Sequence, residues 1–237
     1  MVSPTARPAY DLDVEVFRLH GTVPELLDEL TAVCARVEDA RVRPVLHLAG
    51  DPAPGTAESA TAGSAWPEEE LTIRTVTRWE RVLRRLERVP AATVAVATGE
   101  VGPAALEILL CTDWRVSGAD TVFALAERPW PGAGLFRMAR QLGHAATRRL
   151  TVFPAALPAS RAQEIGLVDE VRGGDIAAVL ASAASAAQAI AVDDLDAAVL
   201  RQLHDEAASA QYDDAIGAHL AACDRVLRRR ATAAVRP

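Results

Sequence analysis

Residues 13–21, DVEVFRLHG, alternate apolar and polar side chains with a period of two, which predicts a strand. The following stretch, VPELLDELTAVCARVEDA at 23–40, spaces its apolar residues as one face of a helix does. RPVLHLAG at 43–50 is then nearly continuous in apolar character, as in a strand buried on both sides. Strand, helix and strand in this order predict a βαβ unit. Residues 51 to about 67 are almost wholly Gly, Ala, Ser, Thr and Pro, a loop whose length points to function or mobility. It follows a strand directly, where α/β folds bind ligands.

Helical spacing resumes from about Pro67 to Glu87 and includes the basic run RWERVLRRLERV, read as a solvated face of neighbouring Glu and Arg. AATVAVATG at 91–99 predicts another strand, with a helix at about 103–111 and a short strand near 114–116. After Leu135 the pattern is helical almost to the end, with a turn and short strand at GLVDEVRGG, 166–174. The last helices are expected at about 176–191 and 194–231, rich in Ala and suited to packing on a neighbouring subunit or on their own domain. The organisation is therefore a disordered 1–11, an α/β core over 12–175 and a C-terminal helical region over 176–237.

Composition narrows the class. Of 237 residues half are hydrophobic but 4% aromatic, so Ala, Val and Leu must fill the core. The net charge of −7 argues against general attraction to nucleic acid, and every basic residue is Arg, none Lys. No apolar stretch suits a signal peptide or a membrane span, so a cytoplasmic protein is expected. Cys34, Cys111 and Cys223 are odd in number and far apart, which predicts buried, inert thiols. His20, His47, His204 and His219 show no metal-ligand spacing, and no metal is expected.

Chemistry enters at EVGPAALEILLCTDW, 100–114, where Glu107 is the only charge between Gly102 and Cys111. A carboxylate is seldom buried without a partner or a task, so Glu107 either meets water at an edge or is kept in apolar surroundings to react. Gly102 and Pro103 mark a helix start. The free N–H groups of the first turn, beginning at Ala104 because Pro103 has none, are placed to receive an oxyanion. Glu107 follows Ala104 by three residues, and helical side chains lean toward the N-terminus, so both address one pocket. Glu127, before the Pro/Gly loop RPWPGAG, is a second acid. Two carboxyl groups in a poorly hydrated site differ in proton affinity, which suits adding water across a double bond. Asp113, closing the helix, is read as structural.

The ordered series Gly99, GPAALEILLCTD (102–113), VFALAE (122–127), PGAG (131–134), RQLG (140–143) and ASRAQEIGLVDEV (159–171) resembles the signature region of the crotonase (enoyl-CoA hydratase/isomerase) superfamily. The resemblance implies a crotonase-like spiral of repeated ββα units with a C-terminal helical region. It implies that Glu107 and Glu127 are the two hydratase glutamates and that the Ala104 N–H polarises a thioester carbonyl. The second oxyanion donor of the family comes from an Ala-Gly-x-Asp turn; AGSAW at 62–66 nominates Ser64, with Gly63 beside the substrate, although the Asp is absent here. Trp130 would line the acyl pocket, in a loop after Glu127 that is shorter than usual. No cofactor is implied beyond CoA as part of the substrate, and a homotrimer or hexamer is the implied assembly. A narrower resemblance is to the small Dpg-type hydratase-like enzymes that act beside a type III polyketide synthase in making dihydroxyphenylacetyl-CoA for antibiotic biosynthesis. The alternative from another class is a non-catalytic accessory subunit that kept the fold and stimulates a polyketide synthase or another CoA enzyme. A serine protease of similar fold fails on the residues, since no Ser stands near Ala104 and His144 merely follows Gly143.

Overall fold

A computed structural model describes residues 13–50, 72–124, 133–152, 156–190, 194–207 and 211–234. Its main sheet is five-stranded and parallel, in the order β1 (Val14–Leu19), β2 (Arg43–Ala49), β3 (Val94–Thr98), β5 (Trp114–Gly118), β8 (Glu170–Arg172). A smaller sheet joins β4 (Glu100–Val101), β6 (Val122–Phe123) and β7 (Leu157–Pro158). Repeated strand–helix units with two sheets and a helical end match the spiral α/β architecture expected from the sequence.

Both faces of the main sheet are buried, and the alternation along its strands decides which residue meets which layer. Leu46 and Leu48 of β2 and Ala95 and Ala97 of β3 join one cluster. There they meet α1 (Val23–Ala40) through Leu26 and Leu30, α2 (Ile73–Leu86) through Trp79 and Leu83, and α3 (Pro103–Leu109) through Leu106. Val45, Val94, Val96 and Val116 point the other way, onto Val179, Ala183 and Ala187 of α6 (Ile176–Ala189). The buried Arg43 donates to the Ala187 carbonyl at 3.0 Å, satisfying the end of α6 from within the sheet.

Helix ends follow local chemistry. Glu25 reaches back to the Thr22 N–H at 2.7 Å to start α1, and Arg41 closes it in the left-handed conformation (φ 52). Thr72 Oγ1 accepts from the Thr75 N–H at 3.2 Å to start α2, and Asp175 accepts from the Ala178 N–H at 2.8 Å to start α6.

Three features differ from the sequence expectation. The helix expected over 194–231 is two, α7 (Asp194–Ala207) and α8 (Tyr212–Ala234). α4 (Gly134–Val152) is interrupted at Gly143, whose φ of 80 and ψ of 161 are not helical. Cys34 and Cys111 are buried as expected, but Cys223, on α8, is exposed. Two short helical and strand elements complete the order, α5 (Ala159–Glu164) leading into β8. Among the described residues no helix is long and apolar enough to cross a membrane.

Candidate active site

The chain leaves β3 through Gly99, which takes a left-handed conformation (φ 73), and enters β4 of the smaller sheet. Gly102 then serves as N-cap and Pro103 as first residue of α3, and the Leu106 N–H closes the first helical bond on Gly102 O at 3.0 Å. Ala104, fully buried, has no helical acceptor for its N–H, as any first-turn residue lacks one. Glu107 is one turn further on, and its side chain is 0% exposed. The structure therefore places Ala104 and Glu107 one turn apart on one buried helix start. The far end of α3 is anchored by Asp113, whose Oδ2 accepts from the N–H and hydroxyl of Thr93 at 2.8 and 2.9 Å, the structural role read from its position.

Glu127, Ser64, Gly63 and Trp130 lie outside the described residues. What surrounds Glu107 among the described residues is a set of side chains that the sequence reading did not single out. Arg137 of α4 places Nη1 3.7 Å from Glu107 Oε2. It binds Glu80 Oε2 through Nη2 at 3.0 Å and Glu87 Oε1 through Nε at 2.8 Å. Glu80 also accepts from the Ala133 N–H at 2.6 Å, just before α4. Neither Glu107 oxygen closes a hydrogen bond of good geometry. Burial raises its carboxyl pKa to about 8; Glu80 adds to the rise, while Arg137 and the Trp79 side chain oppose it. Its surroundings thus favour the protonated form of Glu107, held next to the Arg137 cation and near Glu80. The Cys111 thiol is driven well above its ordinary range, chiefly by burial, and donates to the Glu107 carbonyl at 3.2 Å; it is no nucleophile.

The basic run on α2 is consequently more than a solvated face. Trp79, Val82, Leu83 and Leu86 face the core, and Glu80 and Glu87, seven residues apart and so on one side of the helix, reach inward to Arg137. That seven-residue repeat beside an apolar stripe was the available signal. His144 is exposed and away from this cluster of side chains, and among the described residues no group of three His, Cys, Asp or Glu could hold a metal ion.

Comparison with known proteins bears on the family and the fold. Residues 23–231 match the family model described as enoyl-CoA hydratase/isomerase. A protein of Amycolatopsis orientalis named enoyl-CoA-hydratase is 42% identical over 225 residues, covering 92% of this chain and 97% of that one. Among solved structures, an enoyl-CoA hydratase/isomerase family protein from Silicibacter pomeroyi superposes with a TM-score of 0.74 at 15% identity, over 91% of this chain and 96% of that one. An enoyl-CoA hydratase from Bacillus anthracis does so with a TM-score of 0.71 at 20% identity, over 86% and 80%. At such identities the two structures speak for the fold.

Proposed function

This chain belongs to the enoyl-CoA hydratase/isomerase family and is an enzyme of its lyase type, and from that premise we propose that it hydrates or dehydrates a CoA thioester with Glu107 as the proton-holding acid. One observation carries the reading: a carboxyl with 0% exposure, one turn from the first free N–H of α3, where burial pushes its pKa up. The thioester oxygen would lie at the Ala104 N–H, with a second donor from the loop near Ser64 and Gly63. Charge that develops there as the α-carbon gains or loses a proton is stabilised, each such donor lowering the barrier by roughly 2.7–4 kcal/mol. Glu107 and Glu127 then divide the work, one giving the proton and the other activating water, with Trp130 against the acyl group. No cofactor is called for beyond the CoA of the substrate.

In this reading the acyl group is that of dihydroxyphenylacetyl-CoA formation beside a type III polyketide synthase, in the cytoplasm. A homotrimer or hexamer is supported by α8, where Leu220 and Leu227 stand 61% and 62% exposed two turns apart. Hydration of crotonyl-CoA, followed as loss of enoyl absorbance, is the direct measurement. Glu107→Gln and Glu127→Gln should each lower the rate by about 10²–10⁴-fold, and full activity in both would overturn the assignment.

The closed surroundings of Glu107 favour a second reading, in which the chain stimulates a polyketide synthase without turning over substrate itself. Stimulation retained by the Glu107→Gln, Glu127→Gln double variant would select it.

A further inference from the structure

Arg137 is 6% exposed and faces three carboxyl groups brought by two other helices. Its position is fixed from α2: Nη2 meets Glu80 Oε2 at 3.0 Å and Nε meets Glu87 Oε1 at 2.8 Å, both charge-assisted hydrogen bonds. The remaining nitrogen, Nη1, is shared, 3.4 Å from Glu80 Oε1 and 3.7 Å from Glu107 Oε2. The last separation is too long for a hydrogen bond, so Glu107 feels the charge without being held by it.

Arg137 faces all three carboxyl groups and the second cation, Arg84, reaches only Glu87, so a proton held on one carboxyl relieves the excess of negative charge. The surroundings choose which. Glu80 is 26% exposed and has the Ala133 N–H as a further donor; Glu87 is 19% exposed and has Arg84 Nη1 at 3.3 Å and the Cys111 thiol at 3.6 Å. Glu107 has neither exposure nor a well-formed hydrogen bond, and besides Arg137 and Glu80 its polar neighbours are the Trp79 side chain and the Cys111 thiol beneath its carbonyl.

We propose that Arg137 is a positioning residue for Glu107 and that Glu80 is the carboxylate against which Glu107 is poised: the guanidinium, locked to α2, keeps an acid of α2 and an acid of α3 within 3.7 Å of one nitrogen. This rests on the reading of Glu107 as the reaction's proton donor. When Glu107 releases its proton, the new carboxylate charge appears beside a cation already in place. Glu80 opposes that charge and drives a proton back onto Glu107 from water. The two neighbours therefore act in opposite senses on one group.

The experiment is a carbon-13 titration of the glutamate carboxyl resonances in the intact free protein, with the Glu107 signal identified by its loss in Glu107→Gln. Glu80→Gln should move the Glu107 midpoint to lower pH, and Arg137→Met should move it higher, each by about one pH unit or more. Arg137→Lys, which keeps the charge, should restore it. Midpoints that stay put, or move in the same direction in both variants, overturn the proposal. Should Arg137→Met not fold, the Glu80→Gln and Arg137→Lys midpoints decide alone. Crotonyl-CoA turnover is read separately: if Glu107→Gln leaves it intact, the functional reading falls while the titration still tests the pairing.

Discussion

At the scale of single residues, Glu107 makes stability depend on pH in a direction unusual for a glutamate. The unfolded chain releases this proton near 4.5, whereas the folded protein keeps it to about 8. Between those values the native state binds more protons than the unfolded one, so stability falls as pH rises. The contribution is complete below about 4.5 and lost above about 8, and the shift corresponds to on the order of 5 kcal/mol. Glu107→Gln removes the titration, and urea midpoints should therefore show the variant gaining on the parent protein as pH is raised from about 5 to about 8.5. Parallel pH profiles would mean that Glu107 ionises as an exposed acid does. Glu107 could be picked out from the sequence because a lone charge in an apolar helix is conspicuous. Glu80, Glu87 and Arg137 were harder to see, because a Glu among many Arg reads as a solvated pair; the seven-residue spacing of Glu80 and Glu87 beside the apolar stripe was a signal for the two acids, but only tertiary packing shows that they turn inward to Arg137.

Among elements, the tightest juncture is where β2 ends against β4. A Cβ on Gly50 would lie 2.0 Å from the Glu100 carbonyl oxygen, backbone against backbone, and the Gly50 N–H donates to Thr98 O at 2.8 Å. Gly50 follows β2 directly, and Glu100 opens the approach to α3, so this contact sets the end of β2 relative to the helix start that carries Ala104. Gly50→Ala must push them apart. The expected result is a loss of about 1–3 kcal/mol in denaturant unfolding and a larger proportional loss of crotonyl-CoA turnover, with Gly173→Ala, which meets open space, as the control. Equal behaviour of the two variants would show that the juncture is slack. Strands β1, β2 and β3 and helices α1 and α3 were readable within a residue or a few because their apolar periods are unbroken. β4, β6 and β7 were not, being two residues each; such pairs acquire strand geometry from their partners across the smaller sheet and leave no period in the sequence.

Across the whole molecule, the helices after β8 are bound to the core in two different ways. α6 is a layer of the fold, its Val179, Ala183 and Ala187 closing one face of the sheet. α7 is attached through the buried Leu203, through Arg140 of α4, which pairs with Asp205 at 3.5 Å, and above all through Arg201, 15% exposed, which meets Asp113 Oδ1 at 2.7 Å and donates to the carbonyls of Glu87 and Ala91 at 2.6 Å each. Those carbonyls follow α2 and precede β3, and α8 packs on α7 in turn. One guanidinium therefore ties the C-terminal pair to the turn that also carries Glu87. Arg201→Ala leaves the Glu87 and Ala91 carbonyls and Asp113 Oδ1 without this donor, while Asp113 Oδ2 keeps the Thr93 N–H and hydroxyl, a loss of about 1–3 kcal/mol. Hydrogen exchange should rise across α7 and α8 while β1, β2 and β3 keep their protection, because the sheet is closed by α6 and not by α7. Arg201→Lys should recover only part of that protection, since an ammonium cannot span the carbonyls and the carboxylate as the planar fork does. Exchange that rises evenly through the sheet, or nowhere, would place the attachment of α7 elsewhere than at Arg201.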